Sequence, residues 1–424
     1  MIGVVGLIGA GLTIGIFAST ARVSFEPEAG SSQGVTNLTD NSASGGRAIK
    51  FGGGGSFVTR NGNKLMLGGR QFRFSGANAY WLGLDDNIRD SNGAPTYPTA
   101  YRVNNALDGS RSMQATVLRT HTLGISLGCN NCLEPSLGAF NDAAFQPIDY
   151  AVQQASQRNI KLIIPLIDQW RYYHGGKWNF VHWAYQAGVS GVVDTNSDMS
   201  QNAGNSSGSG SEKEREAQFY TNPTINSYFQ AYVSHVLNHV NQYTGVALKN
   251  DPTIMAWETG NELFDAPVSW TQATAAYIKH TIGAKQLVAD GSAASGNHVT
   301  NAALAAADID IVGDHQYNYP TGLDIGWLTT DAATAAQSNK VFIVGEYGWT
   351  LNNLAAYYSA IESNPNISGD MYWALLPYKE NGQPEPHASL NYGSDDVPLY
   401  YPGIDAQMQS FVSIISAHAS NMAK

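Results

Sequence analysis

Between residues 57 and 424, short runs of apolar and β-branched residues alternate with longer stretches in which apolar positions recur at helical spacing. The short runs lie at 72–79, 115–120, 160–167, 253–258, 286–290, 309–314, 340–345 and 369–375. They have the length and composition of strands. The longer stretches include 144–158, 226–243, 269–283, 328–338, 353–363 and 404–420, and each carries an apolar face. Eight strands, each followed by a crossover, predict an α/β fold, a (β/α)8 TIM barrel; a doubly wound open sheet seldom needs so many units. Ahead of them, 57–60 and 64–67 are joined across Asn61-Gly62-Asn63, which predicts an N-terminal β-hairpin cap.

The pattern fails at the start of the chain and once within it. Ile2 to Ala18 is an unbroken run of apolar, Gly and Thr residues followed by Ser19-Thr20-Ala21. Two readings fit residues 1–21: a signal peptide removed after the small residues, or a signal anchor that holds the rest outside. Either carries the folded part across a membrane, so the expected location is secreted, or anchored with the folded domain outside. Residues 22–56, ending in the GGGGS of 52–56, have the Gly/Ser-rich composition of a flexible spacer, which leaves 57–424 as the main folded domain. The stretch 194–216 has the same character and predicts a mobile loop insertion. Acceptor tripeptides for N-glycosylation begin at Asn37, Asn205 and Asn366 and fit a secretory route.

Composition narrows the function classes. Charged residues make up 13% of the chain and the net charge is −11, which repels a phosphate backbone and argues against nucleic-acid partners. Twenty-two Tyr and nine Trp supply ring faces and hydroxyls for recognition instead. The two cysteines, Cys129 and Cys132, lack the second Cys pair or His-x-His that would complete a zinc site, and in an oxidising compartment they predict a small loop disulfide. No Gly-rich phosphate loop follows any predicted strand, and neither a metal nor an organic cofactor is expected.

In a barrel of this kind the chemistry stands at the C-terminal ends of the strands. There the sequence places Arg119 and His121 after the second strand, Asp168, Trp170 and Arg171 after the third, and Asn261 and Glu262 after the fourth. His315 and Tyr317 follow the sixth, Glu346 ends the seventh and Trp373 lies in the eighth. Strands four and seven face each other across the lumen, so Glu262 and Glu346 can converge on one bond. A carboxylate pair about 5 Å apart serves retaining glycoside hydrolysis, one as nucleophile and the other as acid/base. Arg119 is expected beneath Glu346, keeping it ionised, with Tyr317 donating to the same carboxylate. Asn261 is placed to hold a sugar 2-hydroxyl. A lone strand-end Glu is more often a salt-bridge residue, and His121 reads as a core histidine; the combination is what points to chemistry. Trp373 reads as a sugar platform, because ring faces suit the C–H faces of sugars.

These residues sit in motifs. FSGANAYWLG (74–83), LRTH (118–121), YHGGKWNFVHW (173–183), the long stretch 219–262 ending in WETGNE, DHQY (314–317), VGEYG (344–348) and YWALL (372–376) resemble the fungal endo-β-1,4-mannanases of glycoside hydrolase family 5. The resemblance covers about 57 to 420 and implies a retaining mechanism with Glu262 as acid/base and Glu346 as nucleophile. It also implies that Arg119, Asn261, His315, Tyr317, Trp81 and Trp373 line the subsite of the reacting sugar. Three departures stand out. Leu263-Phe264 follow Asn-Glu where the family usually has Pro-Arg, His121 stands where it often has Trp, and Arg171-Tyr172 follow Trp170 where it often has an aspartate pair. The expected substrate is thus a β-mannan or related polysaccharide. A β-glucanase, an exo-β-mannosidase and a catalytically idle carbohydrate-binding barrel remain the alternatives.

Overall fold

The computed structural model describes residues 35–39, 47–51, 55–195, 212–292, 298–299, 301–317, 322–387, 392, 394 and 396–424. It divides into two units, Met1–Gly54 and Gly55–Lys424. In the first, Val35–Thr39 and Arg47–Phe51 form an antiparallel ladder that sets Asn37 opposite Ile49, inside the stretch expected to be spacer. The expected signal segment 1–21, Asn205 and residues 196–211 of the expected loop insertion lie outside the described residues.

The second unit is a closed barrel of eight parallel strands. These are β1 Phe74–Asn78, β2 Val117–Arg119, β3 Lys161–Pro165, β4 Ile254–Glu258, β5 Leu287–Ala289, β6 Ile311–Gln316, β7 Val341–Tyr347 and β8 Ile367–Tyr372. Each pairs with its successor, and β8 closes on β1 with Gly369 opposite Phe74. Each overlaps one predicted segment, and the first five lie wholly within theirs; β8 begins two residues early, at Ile367. β6 and β7 each run two residues beyond the predicted ends, to Gln316 and Tyr347. The apolar pattern stops earlier because each end carries one polar residue of the barrel mouth, His315 or Glu346, followed by one that packs outward, Gln316 bonded to Tyr357 and Tyr347 in the outer core.

Eight helices of nine residues or more surround the strands: α1 Ala100–Ser112, α2 Phe145–Gln157, α3 Lys177–Gln186, α4 Pro223–Asn238, α5 Val268–Ala276, α6 Ile325–Gln337, α7 Leu354–Ser363 and α8 Ala406–Met422. Local chemistry fixes where they begin. At α4, Asn222 accepts from the backbone N–H groups of Thr224 at 2.9 Å and Ile225 at 3.3 Å, while Pro223 takes the first helical position, where no N–H is needed. Among the described residues no helix is long and apolar enough to cross a membrane.

Alternation along the strands builds two cores. On β3, Leu162 and Ile164 point outward to the helices with Trp257, Phe342 and Val344, while Ile163 points into the lumen with Val117, Met255, Ile311 and Met371. Each such side chain contributes about 1.5–3 kcal/mol on burial. The predicted cap is present as Thr59–Asn61 and Lys64–Leu67, extended by a third short strand, Arg70–Gln71. Its Val58 and Leu65 join the lumen cluster, so the cap plugs the end of the barrel away from the predicted chemistry.

A polar clamp ties the last helices to the sheet. His418 of α8 donates from Nδ1 to Glu362 at 2.8 Å and from Nε2 to Asp370 of β8 at 2.9 Å, and its ring stacks on Tyr358 at 3.8 Å. Burial lowers the proton affinity of this imidazole, but Asp370 and Glu362 outweigh it and hold the pKa above the ordinary histidine value. Elsewhere, Cys129 and Cys132 pair as a disulfide in the loop after β2.

Candidate active site

Arg119, at the end of β2, is the hub of the barrel mouth. It is 1% exposed, and all its guanidinium nitrogens face acceptors. Nε donates to Glu258 at 2.7 Å, Nη2 to Asn261 Oδ1 at 2.8 Å, and Nη1 to Glu346 Oε1 at 2.6 Å and Asn78 Oδ1 at 3.3 Å. The parallel register sets Asn78 directly opposite Arg119. Burial opposes the charge, yet Glu258 and Glu346 more than compensate, so Arg119 is a fixed cation.

Glu262 reaches the mouth through a tight turn after β4. Its φ is 50°, in the left-handed region that non-glycine residues rarely occupy. Two backbone bonds hold it there: Asn261 N–H to Ile167 O and Leu263 N–H to Gly291 O, both at 2.7 Å. The turn passes so close to β5's exit that a Cβ on Gly291 would stand 1.6 Å from the Gly260 carbonyl oxygen. Both carboxylate oxygens of Glu262 carry a donor. His315 Nδ1 approaches Oε1 at 2.8 Å, and Trp170 Nε1 approaches Oε2 at 2.5 Å.

Glu346 arrives through the pairing of β6 with β7. Asp314 pairs with Val344, but His315 pairs with Glu346, so Gly345 is an extra residue on β7. A Cβ there would lie 2.7 Å from His315 Nε2, which explains the glycine. The bulge brings the imidazole and the carboxylate to the same side. Tyr317 donates to Glu346 Oε2 at 2.8 Å, and His315 Nδ1 is 3.6 Å from the same oxygen.

One atom each from Glu262, His315 and Glu346 lies within 4.8 Å of the others. Among the described residues this is the one ligand-type trio close enough to hold a metal, but protein donors already engage its carboxylate oxygens. Electrostatically the trio shares protons. Burial raises the pKa of Glu262, but the hydrogen bond and charge of His315, with help from Trp170 and Arg119, bring it below the usual carboxylate value. Burial also raises that of Glu346, and here it prevails over the pull of His315 and Arg119. Burial lowers that of His315, and Glu346 and Glu262 raise it above the ordinary value. Arg119 pulls Glu346 in the expected direction, toward the ionised form, but burial is the larger effect.

These groups open onto a cavity of about 560 Å³ lined by Tyr80, His121, Trp170, His174, Trp373 and Asp396 among others. Trp373 stacks on Tyr80 at 5.2 Å, donates from Nε1 to Asp396 at 3.2 Å, and is half-buried at the cavity wall. Asn261 is fixed from two sides, accepting from Arg119 and donating to Asp168 at 3.1 Å. Trp81 departs from expectation. It is fully buried, donates to the Leu375 carbonyl at 2.9 Å and is covered by the Arg102 guanidinium, so it belongs to the core beneath the site. Arg171 likewise turns inward, onto Glu216 at 3.0 Å and the ring of Trp178.

Sequence reasoning missed Glu258, Asn78 and His174. Glu258 is a third carboxylate on Arg119, and its signal was the first glutamate of WETGNE, four residues before Glu262. His174 pairs through Nε2 with Asp168 at 2.8 Å and lines the cavity; only its place in the YHGG motif hinted at this. His121, read as a core histidine, is buried but also lines the cavity.

Comparison with known proteins agrees with this geometry. The family profile described as GH family 5 beta-mannosidase-like matches residues 55–359. Among curated relatives, a putative mannan endo-1,4-beta-mannosidase 4 of Arabidopsis thaliana is 34% identical over 207 residues, 49% of this chain and 43% of that protein. A putative mannan endo-1,4-beta-mannosidase 5 of rice, Oryza sativa subsp. japonica, is 29% identical over 68% of this chain and 56% of its own length. The chain thus spans about half the length of the curated relatives it matches. Among solved structures, the endo-1,4-beta-mannanase from Rhizomucor miehei superposes with a TM-score of 0.65 at 25% identity, over 87% of this chain and 99% of that one. By the family profile, and by a barrel mouth that assembles Arg119, Asn261, Glu262, His315, Tyr317 and Glu346, the chain belongs to the β-mannosidase-like members of glycoside hydrolase family 5.

Proposed function

We propose that this protein is a retaining glycoside hydrolase that cleaves β-mannosidic bonds in mannan-type polysaccharides, with Glu346 as nucleophile and Glu262 as acid/base. The observation that carries the reading is the separation of the two carboxylates: one oxygen of each lies within 4.8 Å of the other. That accords with the roughly 5 Å of a double displacement better than with the roughly 6.5–9.5 Å that the intervening water of an inverting enzyme requires.

The geometry supports the following sequence. A sugar seated against Trp373 presents its anomeric carbon to Glu346, whose oxygens Arg119 and Tyr317 hold in place. Asn261 Nδ2 retains a hydrogen for the 2-hydroxyl after donating to Asp168. The proton that Glu262 must give the leaving oxygen has a source 2.8 Å away, on His315 Nδ1. When a glycoside displaces water from the cavity, two adjacent carboxylates become costlier as anions, and the shared proton moves from imidazole to Glu262. Glu346 then bonds to the anomeric carbon as the aglycone leaves with that proton. In the second step Glu262 takes a proton from water, which releases the sugar with its original configuration. The same reading includes export of the chain, supported by the apolar run Ile2 to Ala18 and by a disulfide suited to an oxidising compartment.

The test is a substrate panel of galactomannan, β-1,3-mannan, cellulose and β-1,3-glucan with the anomer of the first product resolved by NMR. Hydrolysis of a mannan with retention, lost in Glu346→Ala, is the expected result. An inverted product, or activity on glucans alone, overturns the reading.

A further inference from the structure

Two histidines at the cavity wall present an unfilled pair of hydrogen-bonding atoms. His121 and His174 are 1% and 2% exposed, both line the cavity, and their ring centroids are 5.9 Å apart. Neither Nδ1 has a protein partner among the described residues. A buried polar atom without a partner is costly, so its persistence at a cavity wall points to a ligand.

The partners of the other ring nitrogens assign the tautomers. His121 Nε2 faces Arg119 Nη1 at 3.4 Å. A guanidinium offers only donors, so that nitrogen must accept, and the proton of the neutral ring sits on Nδ1. Burial, with Arg119 next in effect, holds the His121 pKa well below the ordinary value, in keeping with a neutral ring. His174 is the mirror case. Its Nε2 lies 2.8 Å from Asp168 Oδ2, and a carboxylate only accepts, so Nε2 carries a proton and Nδ1 of the neutral ring is a bare acceptor.

One donor and one acceptor, on rings whose centroids are 5.9 Å apart, match a hydroxyl group, which both accepts and donates. We propose that His121 and His174 form a hydroxyl-reading site for the glycoside, His121 Nδ1–H donating to one sugar hydroxyl oxygen and His174 Nδ1 accepting that hydroxyl's proton. The sugar concerned is the one bonded to Glu346, because His121 Nε2 is 3.9 Å from Glu346 Oε1 and its ring meets Trp373 edge-on at 5.6 Å. Asn261 is assigned to the 2-hydroxyl, so the pair reads another one. This inference rests on the proposed glycosidase activity and adds two specificity-determining residues to it.

The test pairs substrate and protein deletions. Aryl β-mannosides lacking the 3-, 4- or 6-hydroxyl are compared with the parent on the full chain. One of them should lose about 10- to 100-fold in kcat/KM, the cost of leaving a buried donor and acceptor unmet. His121→Gln and His174→Gln keep a group near Nε2 for Arg119 or Asp168 but remove Nδ1, and in both the parent and that deoxy analogue should differ by less than about threefold, within the spread of unrelated contacts. His121→Asn and His174→Asn restore a polar atom near Nδ1 and should recover the discrimination. A merely structural role lowers all substrates alike and leaves the ratio intact, which overturns the proposal; so does a wild-type enzyme indifferent to all three deletions. Turnover of the parent glycoside tests the activity itself, so the two readings fail separately. If the parent is not turned over, the same ratios read by calorimetry on the binding of methyl β-mannoside and its deoxy analogues decide for or against the pair.

Discussion

His315 donates from Nδ1 to Oε1 of Glu262 across 2.8 Å, and this one bond sets the resting state of the barrel mouth. It offers a proton to Glu262, the proposed acid/base, whose own affinity for one is held below the usual carboxylate range. His315→Gln should therefore lower kcat/KM on β-mannan by about 100-fold, within the usual contribution of positioned proton transfer. The loss should be much smaller on a dinitrophenyl β-mannoside, whose leaving group needs no proton. Equal losses on both substrates would show that His315 serves some other step.

Trp170 acts on the same carboxylate from the other side, at 2.5 Å from Oε2. Its donation favours the anion, so Trp170→Phe should raise the proton affinity of the Glu262–His315 pair. The alkaline limb of the kcat/KM profile should move to higher pH, and the acid limb, which reports Glu346, should move less. A profile superimposable on that of the wild type would remove Trp170 from the acid/base machinery.

Gly345→Ala should damage the site without replacing any of its functional side chains. The new Cβ would stand 2.7 Å from His315 Nε2, and the flanking strands leave the imidazole to give way. A stability loss of about 1–3 kcal/mol is expected from overpacking, with kcat/KM falling at least tenfold, about the effect of a 1.4 kcal/mol misplacement. Chemical denaturation and steady-state kinetics on the same sample check both.

The clamp around His418 predicts a pH-dependent stability. Its folded pKa is raised, so its contribution is full below the unfolded value near 6.5 and disappears as pH rises through the folded value. Unfolding free energy should thus fall between pH 6 and pH 9, and His418→Phe should show a shallower fall. Parallel curves for the two proteins would rule out this histidine as the source.

The sequence was most informative where one physical demand dominated. Burial on both faces made each barrel strand an apolar run, so the order of eight strands and crossovers was readable from the chain. Strand ends were not, because β6 and β7 carry the polar site residues His315 and Glu346 near their ends. Glu262 and Glu346 stood out as acids at the ends of apolar strands in a chain poor in charge. Glu258 and His174 were hidden because their roles exist only in partners distant in sequence, Arg119 and the wall opposite His121. Trp81 misled for the same reason. Nothing in its motif tells that Arg102 covers one side of its ring.

The extra residue at 345 also bears on how this barrel can vary over evolutionary time or under engineering. Side chains alternate across a strand, so removing one residue between Val344 and Glu346 would turn the carboxylate away from the mouth and leave its neighbours apolar and well packed. Substitutions can be graded and compensated; a change of length here cannot. Insertions and deletions in this family should thus collect in the loops beyond the strands, and libraries built on the scaffold should hold the spacing from Asp314 to Tyr317 and from Val344 to Glu346 constant.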